Sequence, residues 1–169
     1  MLCVIAKLDD AATEKLTSIR NAAFPGLSVS RPLHGHITIA TYIRDDHAGF
    51  VRSCRELLQG FPSFEVVYER IEVLEETSVI VAVPAENEEL SAMHHSIAGV
   101  FNASLDKWTG GGLWVPHTTL YFNPQSELHS LADNMAASFR PFSARIGRIE
   151  FSNILEDGYE IVGHMDLST

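Results

Sequence analysis

Two short stretches of this chain, His36-Ile37-Thr38-Ile39 and His117-Thr118-Thr119-Leu120, set a histidine two residues before a threonine within an apolar run, and 81 positions separate the histidines. Side chains alternate between faces along a strand, so His36 and Thr38 share one face while Ile37 and Ile39 point into a core. His117 and Thr119 behave likewise. Each unit offers an imidazole that moves a proton near neutral pH and a hydroxyl that steadies an anion beside it. Two such units facing each other have the groups needed to cut a phosphodiester.

The letters alone are cheap. Serine and threonine make up 24 of 169 residues, so with eight histidines about one His-x-Ser/Thr match arises by accident. A third match, His94-His95-Ser96, is set aside because Leu90, Met93, Ile97, Val100 and Phe101 recur at helical spacing, and positions i and i+2 of a helix do not share a face. Setting supplies the specificity that the motif lacks.

The elements that must position these residues follow in a repeated order. Val4 to Leu8 reads as a strand; Asp9 or Asp10 caps a helix with Ala12, Leu16, Ile19 and Ala23 inward. A loop with Pro25, Gly26 and Pro32 leads to the His36 strand. Asp45 or Asp46 opens a second helix, which Gly60 and Pro62 close, and Phe64 to Val73 is a strand. The second half replays this: a strand from Val79 to Val83, a helix from about Asn87 to Leu105, the His117 strand, a helix capped by Ser126, and a strand near Ala144 to Phe151 introduced by Pro141. From histidine to that proline is 26 residues in the first half (36 to 62) and 24 in the second (117 to 141). A last strand, Tyr159 to Leu167, follows a turn at Asp157-Gly158. The repeat lies in element order and histidine position, since residue identity between the halves is slight. Two α+β lobes related by an approximate two-fold would set both histidines in one groove.

Composition narrows the classes. The chain has 169 residues, 46% hydrophobic and 20% charged, enough for one domain with a sizeable core. We expect a single bilobal domain over 1–169, with approximate lobes 1–76 and 77–169 between which strands can exchange. A net charge of −10 argues against wide engagement of duplex DNA. The start, Met1 to Ala6, lacks a signal-peptide pattern, and no run is long enough for a membrane span. A cytoplasmic protein without membrane contact is expected, with Cys3 and Cys54 as buried free thiols.

On the two four-residue motifs and their spacing the chain resembles the 2H phosphoesterase superfamily, in particular the 2′-5′ RNA ligase-like proteins and cyclic phosphodiesterases. The pattern is histidine, hydrophobic, Ser or Thr, hydrophobic, twice, roughly 80 residues apart. The first motif fits throughout; the second departs at Thr118, where an aliphatic residue is usual. The resemblance implies an α+β fold of two pseudo-symmetric lobes of antiparallel sheet, helices packed outside and a central water-accessible groove. It implies cleavage or formation of 2′-linked or 2′,3′-cyclic phosphodiesters without metal or other cofactor. It makes His36 and His117 the catalytic pair and Thr38 and Thr119 the phosphate clamps. The expected partner is a small nucleotide or an RNA end with a 2′,3′-cyclic phosphate, and the expected state a monomer.

If both motif strands stay regular, Tyr42 and Tyr121 lie on the groove face and are candidate substrate contacts. Trp114, with Trp108 across Gly110-Gly111-Gly112, is a third. Arg31, Arg44 and Lys107 flank the motif strands as sources of local positive charge. His34 and His36 raise a metal reading, but a metal site wants three or four convergent ligands and no Cys or carboxylate stands at a suggestive spacing nearby. No P-loop is present. The rival from another class is a non-catalytic module that holds a nucleotide or RNA end in the same groove.

Overall fold

Each long helix begins where a short polar side chain stops a strand or loop. Asp9 caps α1 (Asp10–Ala23) by accepting from Ala12 N, and its second oxygen accepts from Arg145 N, tying the corner to the sheet. Asp46 caps α2 (His47–Leu58) through Gly49 N, and Asn87 caps α3 (Glu88–Phe101) through Leu90 N. Such caps contribute about 1 kcal/mol each. These helices and α4 (His129–Ser138) accompany strands β1 (Leu2–Leu8), β2 (His36–Tyr42), β3 (Phe64–Val73), β4 (Val79–Pro84), β5 (Thr118–Phe122), β6 (Phe142–Leu155) and β7 (Gly158–Asp166). The computed structural model describes residues 1–24, 34–74, 76–110, 112–123, 128–156 and 158–169. Arg31, the Ser126 cap, Gly111 and Asp157 lie outside them, as do Pro25, Gly26 and Pro32.

The strands form one antiparallel sheet in the order β2-β1-β6-β3-β4-β5, with β7 also on β6. The fold is α+β, as expected. β6 is the shared spine. Its first residues, Phe142 to Ile146, pair with β3; from Ile146 to Asn153 it pairs with β1, and from Arg148 onward with β7. A strand from the second half of the chain thus lies between β1 and β3 of the first.

One face of the sheet packs on the helices. Leu2, Val4, Ala6 and Leu8 of β1, Ile37 and Ile39 of β2, and Ile80 and Ala82 of β4 join Leu16, Phe50, Leu58, Met93 and Met135 in a continuous core. Cys3 and Cys54 are buried free thiols. Burial pushes the Cys54 thiol up to about 12, so it stays protonated and unreactive. Among the described residues no helix is long and apolar enough to cross a membrane.

The sheet curls until its end strands meet. β2 and β5 stand at opposite ends of the pairing order, yet Thr118 Oγ1 donates to the His36 carbonyl at 2.8 Å. The rest of β2's outer edge is also taken: Trp114 Nε1 donates to Thr38 O at 2.9 Å, His94 Nδ1 to Ile39 O at 2.9 Å, and Thr41 N to Thr109 Oγ1 at 2.9 Å. The starts of β2 and β5, which carry or adjoin the two motif histidines, are thereby brought side by side.

Candidate active site

The two histidines are held by the same local device. His36 Nδ1 lies 3.0 Å from the carbonyl of His34, and His117 Nδ1 lies 2.7 Å from the carbonyl of Val115, two residues upstream in each case. A carbonyl only accepts, so each ring carries its proton on Nδ1. The neutral imidazole then has its lone pair on Nε2, the nitrogen left for a ligand.

Their surroundings differ. Burial pushes His36 down to about 4; positive charge on His34 or His117 works in the same direction, and the His34 carbonyl opposes it. His117 is also lowered by burial, opposed by the Val115 carbonyl. The influence of His117 on His36 places the two rings within electrostatic reach of each other.

Both motif strands carry a bulge at the same place. In β2 the pairing with β1 runs Thr38 to Ile5 and then Ala40 to Val4, skipping Ile39; in β5 the pairing with β4 runs Thr119 to Val81 and then Tyr121 to Ile80, skipping Leu120. An extra residue reverses the alternation beyond it. This overturns the expectation that Tyr42 and Tyr121 share the histidine face. Tyr42 is 7% exposed and stacks on Phe50 at 4.1 Å, with Phe101 edge-on. Tyr121 stacks on Phe24 at 4.8 Å against the core, its hydroxyl accepting from Asn123. Thr41 takes the groove position instead, opposite Cys3.

Two cavities meet at Thr38. One, about 330 Å³, is walled by Leu74, Val79, Trp108, Leu113 and Trp114 and reaches His117; the other, about 270 Å³, holds His36, Ile5, Ile154 and Tyr159. Thr38 is half-buried between them, while Thr119 is exposed on the face of β5 opposite the core. Trp114 reaches the site but is a strap: its N–H is committed to Thr38 O and one ring face stacks on His94 at 4.2 Å, leaving the remainder to line the larger cavity. Lys107 lies over the Trp108 ring at 4.4 Å. Arg44 is exposed and lines neither cavity.

His34 does not extend a metal set with His36. Its Nε2 lies 2.9 Å from Oε2 of Glu150, a buried carboxylate, without hydrogen-bond alignment. Burial lowers the His34 pKa and Glu150 opposes it. Among the described residues no group of three or more His, Cys, Asp or Glu side chains is arranged to hold a metal ion. Glu150 and Thr118 were not singled out by sequence as site residues, because their contacts link positions far apart in the chain.

A family model described as the 2′-5′ RNA ligase superfamily matches residues 8–158. No curated protein matches the chain. Among solved structures, a Thermus thermophilus protein has a TM-score of 0.70 at 14% identity, covering 98% of this chain and 97% of that one. The E. coli protein LigT in complex with 3′-AMP has a TM-score of 0.66 at 17% identity, covering 99% and 97%. A phosphoesterase gives 0.68 at 16% identity, covering 99% and 98%. At such identities the structural likeness speaks for the fold.

Proposed function

This chain belongs to the 2′-5′ RNA ligase superfamily, the 2H phosphoesterases, and from that premise we propose a phosphodiesterase that hydrolyses, or reversibly forms, 2′-linked or 2′,3′-cyclic phosphodiesters of nucleotides or RNA ends. The paired Nδ1–carbonyl bonds carry the reading: each leaves an Nε2 for the groove, so one phosphorus can be served by two proton-transfer groups. E. coli LigT has been solved with 3′-AMP, NADP+ and ATP, which supports a nucleotide-sized ligand here. Chain 1–169 acts as one domain whose two lobes supply one histidine each, so the reaction needs no second copy.

The environments divide the labour. His36, pushed down to about 4, is neutral at pH 7 and serves as general base; His117, which burial also lowers, takes the acid role because a bound phosphate anion between the rings favours its protonated form. Water attacks phosphorus as His36 Nε2 takes its proton. The bond from phosphorus to the ribose oxygen breaks as His117 Nε2–H protonates that oxygen. Exchange with solvent resets both rings. Thr38 and Thr119 donate to the non-bridging oxygens, whose charge redistributes in the transition state. The two proton transfers use imidazole alone, and the products are a phosphomonoester and a free ribose hydroxyl.

The test is a panel of nucleoside 2′,3′-cyclic phosphates assayed with chelator present. Turnover that survives the chelator is expected. Binding without turnover identifies a nucleotide-holding module, and loss of activity on chelation overturns the metal-independent route.

A further inference from the structure

We infer that Thr118, the residue at which the second motif departs from its pattern, is a positioning residue that fixes the separation of the two imidazoles by gripping the His36 carbonyl. The inference rests on the reading of His36 and His117 as the reacting groups. Thr118 sits between His117 and Thr119 but points the other way, into the core, where it is 4% exposed. Its Oγ1 is 2.8 Å from His36 O and 2.5 Å from the hydroxyl of Tyr68, which is 0% exposed in mid-sheet.

The proton order in this chain is forced. His36 O only accepts, so Thr118 spends its single hydrogen there, and Tyr68 must donate to Thr118. Burial raises the Tyr68 phenol above its ordinary value, so it remains a donor at every working pH. Every group in the relay is satisfied in one arrangement, and such buried networks hold a single geometry.

The tie matters because the sheet alone sets the gap loosely. Counting along β2-β1-β6-β3-β4-β5, five strand interfaces separate the two motif strands, and small changes of twist or register accumulate over them. Alongside the Trp114 bond to Thr38 O, Thr118 shortens that route to one residue and one hydrogen bond: its backbone adjoins His117 and its hydroxyl holds the peptide of His36. An aliphatic residue at 118 would fill the same space without the grip. A displacement of about 1 Å between reacting groups costs about 10²-fold in rate.

Thr118→Val removes the donor and keeps the shape; Thr118→Ser keeps the donor. On a nucleoside 2′,3′-cyclic phosphate, Thr118→Val is expected to lower kcat by about 10- to 10²-fold with KM little changed, and Thr118→Ser to restore most of it. NMR titration of the histidine rings without substrate is expected to show the His36 ring shifted in Thr118→Val and returned in Thr118→Ser. If Thr118→Val does not fold, Tyr68→Phe decides, with a smaller fall in kcat and a ring shift in the same direction. Wild-type kcat with unmoved ring resonances in a folded Thr118→Val, or in Tyr68→Phe where it is the deciding variant, overturns the inference. Absence of turnover in the unmodified protein defeats only the phosphodiesterase reading, because the ring titration still decides whether Thr118 positions His36.

Discussion

The two motif segments share their mechanics and differ in their electrostatics. Each histidine donates Nδ1–H to the carbonyl two residues before it, and each strand bulges one residue after its threonine. His36, however, shares its setting with His34 and the buried Glu150, whereas His117 follows the stretch between Gly112 and Pro116 and lines the cavity with the two tryptophans. One local geometry used twice gives two rings of the same tautomer; unequal burial then makes one the stronger candidate for base and the other for acid.

The largest effect that could break this comparison comes from removing each ring. His36→Ala and His117→Ala are expected to stay folded by circular dichroism and to lose about 10²- to 10⁴-fold in kcat. A nitrophenyl phosphodiester, whose leaving group needs no proton, should rescue His117→Ala and not His36→Ala; rescue of the opposite variant would reverse the roles. Thr38→Val and Thr119→Val should each cost less, about 10²-fold at most, with Thr38, set between both cavities, the more sensitive in steady-state assays.

The pH dependence sharpens the same contrast. With His36 as the proposed base, kcat/KM should rise through about pH 4; with His117 as the proposed acid, the rate should fall as pH climbs through its value, which burial lowers from the ordinary 6.5. A bell-shaped profile on the acid side of neutrality is expected. A maximum above pH 7 would contradict the assignment. The smallest effect on catalysis belongs to the tyrosines that the bulges turn away: Tyr42→Phe and Tyr121→Phe should leave kcat nearly unchanged. Tyr42→Ala, which empties a stack on Phe50, should lower unfolding stability by about 3–5 kcal/mol in urea titration.

Much of this was legible in the residues. β3 spans Phe64–Val73 as alternation and turn signals placed it, and Asp9, Asp46 and Asn87 cap their helices because short acceptors at strand-to-helix corners have few other uses. What alternation could not show was its own interruption. A bulge depends on the partner strand's register, so Tyr42 and Tyr121 read as groove residues until β1 and β4 were laid beside them. The strand expected to carry His117 begins one residue later, at Thr118, and the helix expected to reach Leu105 ends at Phe101 before a 3₁₀ turn over Asn102–Ser104. Thr118, Tyr68 and Glu150 gained their roles from contacts spanning 50 to 116 positions, which no local pattern encodes.

The outer flank of β2 has a consequence beyond catalysis. Side chains of Thr118, Trp114, His94 and Thr109 occupy the backbone groups that an intruding polypeptide would need to extend the sheet there. Borders left vacant are how folded molecules template one another into aggregates. On the branch strand β7, which pairs β6 off the main order, Val162 is skipped, breaking the flatness that stacking copies require. With Thr118 spacing the two imidazoles as inferred, colloidal behaviour in a crowded solution draws on one of the same side chains, and a substitution that loosens one should betray itself in the other.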